Sequence, residues 1–175
     1  MNNKINDKAK KIALWGVMAA LAVAVSALES AFDIPFFPPG AKPGLSNVVT
    51  LVAAMTSGIA GAVYITAVKS AFALITRGIT AFILSFSGGM LSATVSVILL
   101  KYCRKYFSLT GISVTGAFVH NMTQLVAAML ITGTSALIYY APALCIFAAI
   151  SGILTGIIVR AVTQALSHND NKSNK

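Results

Sequence analysis

From Phe107 through Val159 the chain carries no Asp, Glu, Lys or Arg side chain. A soluble domain has about 25% charged residues and cannot leave so long a stretch without any. The rest of the chain follows the same pattern. Of its 175 residues, 57% belong to the set Ala, Val, Ile, Leu, Met, Phe, Trp, Tyr and Cys, and 10% are charged. Mean hydropathy is +0.84. These properties imply an all-α integral membrane protein, and the open question is how many times it crosses.

The formal net charge of +9 would point to nucleic acid in a soluble protein. In a membrane protein it reflects cytoplasmic loops and tails rich in Lys and Arg, so no nucleic-acid partner is implied. The solvent for most of this chain is the lipid bilayer. Cys103 and Cys145 lie in or beside different apolar runs with no CxxC or zinc spacing, so neither a disulfide nor a metal site is expected. The basic start followed by apolar residues imitates a secretory signal. Its apolar run of about 20 residues is long for one, and more spans follow, which favours an uncleaved first helix.

Four runs match the length of a spanning helix: Ile12 to Ala31, Ile79 to Leu100, Leu109 to Thr132, and Leu137 to about Ala161. The stretch from Gly44 to Thr76 is too long for one straight helix and short for two, with Thr56, Ser57, Gly58 and Gly61 available for a turn near its middle. Charge decides between five and six helices. With six, Lys4, Lys8, Lys10 and Lys11, the Lys101, Arg104 and Lys105 cluster, and Arg160, Lys172 and Lys175 all share one side. The positive-inside bias then favours six helices with both termini cytoplasmic. The second and third helices would be short, about 14 to 17 residues by the helical rise, and would need thinned bilayer or shielding neighbours.

Three parts follow: a basic cytoplasmic segment over 1–11, a membrane domain over 12–166, and a polar cytoplasmic tail over 167–175 expected to be disordered. The only substantial external loop runs from Phe32 to Pro43. Its prolines preclude a continuous helix, and Phe32, Phe36 and Phe37 suit the membrane interface. No internal repeat is evident.

Two kinds of residue could carry function. On the first helix Gly16, Ala20, Ala24, Ala27 and Ala31 share one face, and such small residues let another helix approach closely. That face serves either a partner or internal packing. A similar face at Ala148, Gly152 and Gly156 is assigned to internal packing. The second kind is polar groups within the membrane, which are costly there and functional by default. In the six-helix arrangement His120 lies roughly 15 Å deep, close to the midplane. Asn121 is beside it, and Gln124 is one turn further out on the same face. Lys69 is half-way along the third helix, with Arg77 at its outer end. Ser87, Gly88 and Gly89 are expected to break the fourth helix or to permit close backbone approach. Glu29, Lys42 and Asn47 lie at the outer ends of the first two helices. The set runs from the midplane outwards. It reads as a solute pocket open to the outside, or as a network of interhelical hydrogen bonds with Lys69 paired to Glu29.

Several segments resemble one known family. Pro39-Gly-Ala-Lys-Pro-Gly-Leu-Ser-Asn-Val-Val-Thr-Leu51 is similar to the loop and second helix of the Gx transporter family, also called heptaprenyl diphosphate synthase component I. Gly111-Ile-Ser-Val-Thr-Gly-Ala-Phe-Val-His-Asn-Met-Thr-Gln-Leu125 resembles its fifth helix and Tyr139-Tyr-Ala-Pro-Ala-Leu144 its sixth. Glu29-Ser30 and Ser87-Gly-Gly-Met-Leu-Ser92 also match. Lys69 stands where the family has an arginine; positive charge is kept, but a bidentate grip on an anion is not.

The family is in turn similar to the substrate-binding S components of energy-coupling factor (ECF) transporters. That resemblance implies a six-helix bundle that captures a scarce solute outside the cell, in a bacterial membrane. It implies docking on a transmembrane coupling subunit and two ATPase subunits through small residues on the first helix. Ala20-Leu-Ala-Val-Ala24 matches the AxxxA pattern, which places Gly16, Ala20, Ala24 and Ala27 at the partner face. The chain has no G-x-x-x-x-G-K-[ST] loop to cradle ATP phosphates. Catalysis of prenyl elongation would need clustered carboxylates for magnesium and diphosphate. The chain has only Asp7, Glu29, Asp33 and Asp170. The expectation is therefore a transport subunit rather than an enzyme, with no cofactor and a small-molecule substrate of open identity. Lys69, Gly88, Gly89, His120, Asn121, Gln124, Asn47, Glu29 and Lys42 are its candidate binding residues. The alternative is a noncatalytic membrane subunit of a heptaprenyl diphosphate synthase in menaquinone side-chain biosynthesis.

Overall fold

The computed structural model describes the backbone of residues 2–31 and 44–173, and the side chains of residues 9–31 and 44–165. All regular structure among them is helical: α1 (Asn2–Ala31), α2 (Asn47–Tyr102), α3 (Leu109–Thr132), a short 3-10 helix (Ser135–Tyr140) and α4 (Ala141–Ser173). Four stretches are long and apolar enough to cross a membrane: Ala9–Ala31, Asn47–Tyr102, Leu109–Thr132 and Ser135–Ala165. The chain is a multi-pass membrane protein.

Helix α2 has 56 residues. Straight, it would extend about 84 Å, nearly three times the thickness of the hydrocarbon core. It is not straight. At Gly58 (φ 64°, ψ −151°) and Gly78 (φ 82°, ψ −175°) the backbone leaves helical space for a region open essentially to glycine alone. These two residues divide α2 into legs over 47–57, 59–77 and 79–102. The legs fold against one another. Ser70 Oγ donates to Ser85 Oγ at 3.3 Å, and Ala54, Ala62 and Ala93, one from each leg, share a buried cluster. The turn expected near the middle of 44–76 is the reversal at Gly58.

The break expected at Ser87, Gly88 and Gly89 is absent, since the third leg is helical throughout. These glycines serve contact instead. A Cβ on Gly89 would stand 2.7 Å from Thr66 Cγ2, and one on Gly88 would stand 3.0 Å from the His120 carbonyl oxygen of α3. The polar tail also departs from expectation, because α4 continues as helix through Ser173. Extending a formed helix fixes one residue per added bond, whereas nucleating one is costly, so polar residues can prolong an apolar helix.

Helix α3 is central, packing on both α2 and α4. Ser108 Oγ caps it by accepting from the Gly111 N–H at 3.1 Å, and Gly133, left-handed at φ 66°, closes it. Gly152 and Gly156 bring α4 against it: a Cβ at either would stand 2.5 Å from Val114 Cα or 2.6 Å from Thr110 Cα. With buried Ala148 they form the internal packing face read from the sequence.

Helix α1 buries Met18, Ala19 and Ala22 against Val49, Ala53 and Ile65 of α2. Trp15 holds its start: Nε1 donates to Ser57 Oγ at 2.9 Å, and the ring stacks on Tyr64 with centroids 5.2 Å apart. On its other side Gly16, Ala20, Ala24, Ala27 and Ala31 are all exposed.

Candidate functional site

Glu29 lies two residues before the end of α1, and Gly44 begins the turn that leads into α2. Gly44 adopts φ 82°, and its carbonyl accepts from the Asn47 N–H at 2.9 Å, which starts the helix. Lys69 and Arg77 come from the second leg of α2, Ser85 from the third, and His120 and Gln124 from α3. Together with Ser26 and Ser46 these residues line a cavity of about 10 Å3, room for about one water.

The polar contacts around it are incomplete. Lys69 Nζ donates to Asn47 Oδ1 at 2.8 Å. Glu29 Oε1 accepts from the Leu45 N–H. Gln124 Nε2 lies 3.0 Å from His120 Nε2, one turn away on α3. The second halves of four of these groups are unused: Glu29 Oε2, Asn47 Nδ2, His120 Nδ1 and Gln124 Oε1 are buried with no hydrogen-bond partner among the described residues. An unpaired buried polar atom costs about 1–3 kcal/mol. Glu29, His120 and Gln124 each bring such an atom to the residues that line this cavity.

Gly88 fits α3 closely here. A Cβ on it would stand 2.9 Å from Gln124 Cγ and 3.1 Å from His120 Nδ1, so any side chain would displace both residues. A second cavity, of about 20 Å3, lies beyond Asn47 and is edged by the hydroxyl-bearing Thr50, Ser92, Ser96, Ser113 and Thr155.

The structure therefore brings together Glu29, Asn47, Lys69, Gly88, His120 and Gln124. Gly89 packs on Thr66. Asn121 points elsewhere: its Nδ2 donates to the Leu144 carbonyl at 3.2 Å and ties α3 to α4. Lys42 lies outside the described residues. The sequence reading missed Ser26, Gly44, Ser46 and Ser85. Hydroxyls in membrane helices commonly satisfy themselves on the carbonyl one turn back, as Ser113 and Thr123 do here, so such residues carry little signal. Among the described residues no three His, Cys, Asp or Glu side chains gather to hold a metal.

Residues 18–162 match the family model described as heptaprenyl diphosphate synthase component I. The chain belongs to that family. A solved structure, described as the S component of a bacterial ECF transporter, has a similar fold, with a TM-score of 0.67 at 18% identity over 92% of this chain and 97% of that one. At that identity the likeness is one of fold. A search of curated protein sequences finds no match. In this component I chain the described residues of the cavity bring one carboxylate, Glu29, together with Lys69 and Arg77. Such a set is suited to holding a ligand by charge and hydrogen bonds.

Proposed function

We propose that this protein is the membrane-embedded substrate-binding subunit of an ECF-type uptake transporter in a bacterial plasma membrane. The observation that carries the reading is the cavity edged by Glu29, Lys69, Arg77, His120 and Gln124, with unfilled hydrogen-bonding capacity at Glu29, His120 and Gln124. Buried polar atoms are ordinarily paired, and those left open around a cavity are the ones a ligand can complete. In this reading each leg of α2 crosses separately, which makes six crossings with both termini cytoplasmic. The fold shared with an ECF S component supports it.

Energy would come from separate subunits: a transmembrane coupling protein and two ATPases. The exposed Gly16, Ala20, Ala24 and Ala27 form the docking face in this proposal. A Cβ on Gly16 would meet nothing within 4 Å, so a partner's backbone has room to approach.

Affinity purification from cells expressing the wild type and the Ala20→Trp and Ala24→Trp variants tests the proposal. Wild type should recover a coupling protein and ATPases, and each Trp should block recovery, because a ring at this face holds two backbones apart. Recovery of a soluble prenyl synthase instead would support the noncatalytic synthase subunit.

A further inference from the structure

The second cavity carries an inference of its own, independent of what the first one binds. Its polar lining comes from three membrane-length stretches: Asn47, Thr50, Ser92 and Ser96 of α2, Ser113 of α3 and Thr155 of α4. Two of these residues have a buried atom with no hydrogen-bond partner among the described residues, Asn47 Nδ2 and Thr50 Oγ1. Thr50 as a whole is only 6% exposed. Within a bilayer no bulk water reaches such atoms, so they are paired by the protein or by a buried water.

The other contacts of these groups fix what each offers. The Lys69 ammonium can only donate, so Asn47 turns its oxygen to Lys69 and is left with its amide N–H groups. Ser92 Oγ gives its hydrogen to the Gly116 carbonyl at 2.8 Å, and Ser113 Oγ gives its own to the Leu109 carbonyl at 2.9 Å. Both serine oxygens then retain only lone pairs. The cavity is therefore edged by a donor at Asn47, by acceptors at Ser92 and Ser113, and by the Thr50 hydroxyl, which can do either. The missing side chain of Gly116 keeps this edge open, since a Cβ there would stand 2.7 Å from Ser96 Oγ.

This mixture selects the occupant. A hard metal cation takes oxygen ligands, and the Asn47 N–H groups present the wrong end of their dipoles to it. An anion would meet the lone pairs of Ser92 and Ser113. An apolar group would leave both Asn47 and Thr50 unpaired. Water both donates and accepts. The cavity of about 20 Å3 exceeds the about 10–15 Å3 that one water requires and is far too small for an organic solute.

We propose that this cavity is a hydration site for one ordered water. The water accepts from Asn47 Nδ2, bonds to Thr50 Oγ1, and donates to the hydroxyl oxygen of Ser92 or Ser113. It links Thr50 to Asn47, and Asn47 in turn holds the Lys69 ammonium at the edge of the first cavity.

Crystal structures of the full-length wild type, Thr50→Val and Thr50→Ser, grown in a lipid mesophase at a resolution that shows ordered water, test the proposal. Valine keeps the shape of threonine without its hydroxyl, and serine keeps the hydroxyl. Wild type should show one peak within about 3.2 Å of both Asn47 Nδ2 and Thr50 Oγ1. Thr50→Ser should retain that peak and Thr50→Val should lose it. In nanodiscs, the Asn47 side-chain amide of protein labelled with 15N-asparagine should show magnetisation transfer from water that Thr50→Val abolishes. The wild-type results decide whether the site is hydrated even if Thr50→Val does not fold. Absence of density at the site, a peak at metal–oxygen distances of about 2.0–2.6 Å, or density continuous with a lipid chain would each overturn the proposal. An unchanged water in folded Thr50→Val would do so as well, because Thr50 would not be its partner.

Discussion

Lys69 Nζ reaches Asn47 Oδ1 at 2.8 Å although the two residues are 22 positions apart, on the first and second legs of α2. On an unbroken helix that separation is about 33 Å. The hydrogen bond therefore depends on the reversal at Gly58, which lies between them. It also sets the site's polarity: the ammonium holds the amide oxygen, and the amide nitrogen remains for another partner. The most buried cation of the cavity and the conformation of a distant glycine are thus one structural fact.

The first prediction separates ligand contacts from packing contacts. Lys69→Met should weaken capture of the bound solute by about 5- to 150-fold, the equivalent of about 1–3 kcal/mol. Its melting temperature should change less than that of Asn121→Ala, because losing a buried charge offsets in part the Asn47 oxygen left unpaired. Asn121→Ala should do the reverse. It removes the hydrogen bond that ties α3 to the Leu144 carbonyl of α4, so stability should fall by a similar energy while folded protein still binds. Ligand-capture assays paired with melting curves distinguish the two, and equal effects on both readouts in both variants would remove the distinction.

The second prediction concerns the reversals. Nothing lies within 4 Å of a Cβ at Gly58, Gly78 or Gly16, so space is not the constraint at any of them. Backbone conformation is. Gly58→Ala and Gly78→Ala should each destabilise by about 1–3 kcal/mol, since φ is positive and ψ extended there. Gly16 is within helix α1, so Gly16→Ala should be neutral or stabilise by up to about 1 kcal/mol. Thermal unfolding in detergent of the three single variants measures the contrast.

How far the sequence reaches is clear from particular residues. Membrane class and the outer polar set were legible because charge is scarce in apolar segments, which makes Glu29, Lys69 and His120 conspicuous. The reversal at Gly58 was legible from length, since 44–76 exceeds one crossing. The role of Gly88 and Gly89 was legible only as a choice between a break and close backbone approach, of which the structure has the second. A glycine needed for its conformation and one needed for close contact look alike in a sequence, and only the position of α3 tells them apart. The direction of Asn121 was not legible. On a helix, consecutive residues point about 100° apart, so adjacency to His120 argues against a shared target.

The third prediction follows from those contacts. Gly152→Ala should destabilise by about 1–3 kcal/mol or more, because the new methyl meets the backbone of Val114, which can yield only if α3 and α4 separate. Gly89→Ala meets only the end of the Thr66 side chain, which can rotate away, so its cost should be smaller. Melting temperatures of the two variants should rank in that order, and the opposite rank would mean that the α3–α4 contact is looser than its geometry indicates.

The last prediction is topological. If each leg of α2 crosses the bilayer, the chain passes through six times, and an even number returns the C-terminus to the side of the N-terminus. The exposed Lys101, Arg104 and Lys105 then lie on that side as well, together with the basic residues at both ends, as the positive-inside bias requires. If α2 crossed only once, the chain would pass four times, the termini would still agree, and the Lys101 cluster would still share their side. Reporters at the ends alone therefore do not decide between four and six. The two models differ within α2. With six crossings the reversal at Gly58 is cytoplasmic, beside Trp15 and the basic start of α1, and the reversal at Gly78 is external. Single cysteines placed at Ser57 and at Thr80, in a background with Cys103 and Cys145 replaced by serine, should react from opposite faces with a membrane-impermeant thiol reagent: Ser57→Cys only after the cytoplasmic face is opened, Thr80→Cys in intact cells. Labelling of neither position from either face, with Lys105→Cys labelled from inside as the control, would leave both reversals buried in the bilayer and sink the six-crossing arrangement.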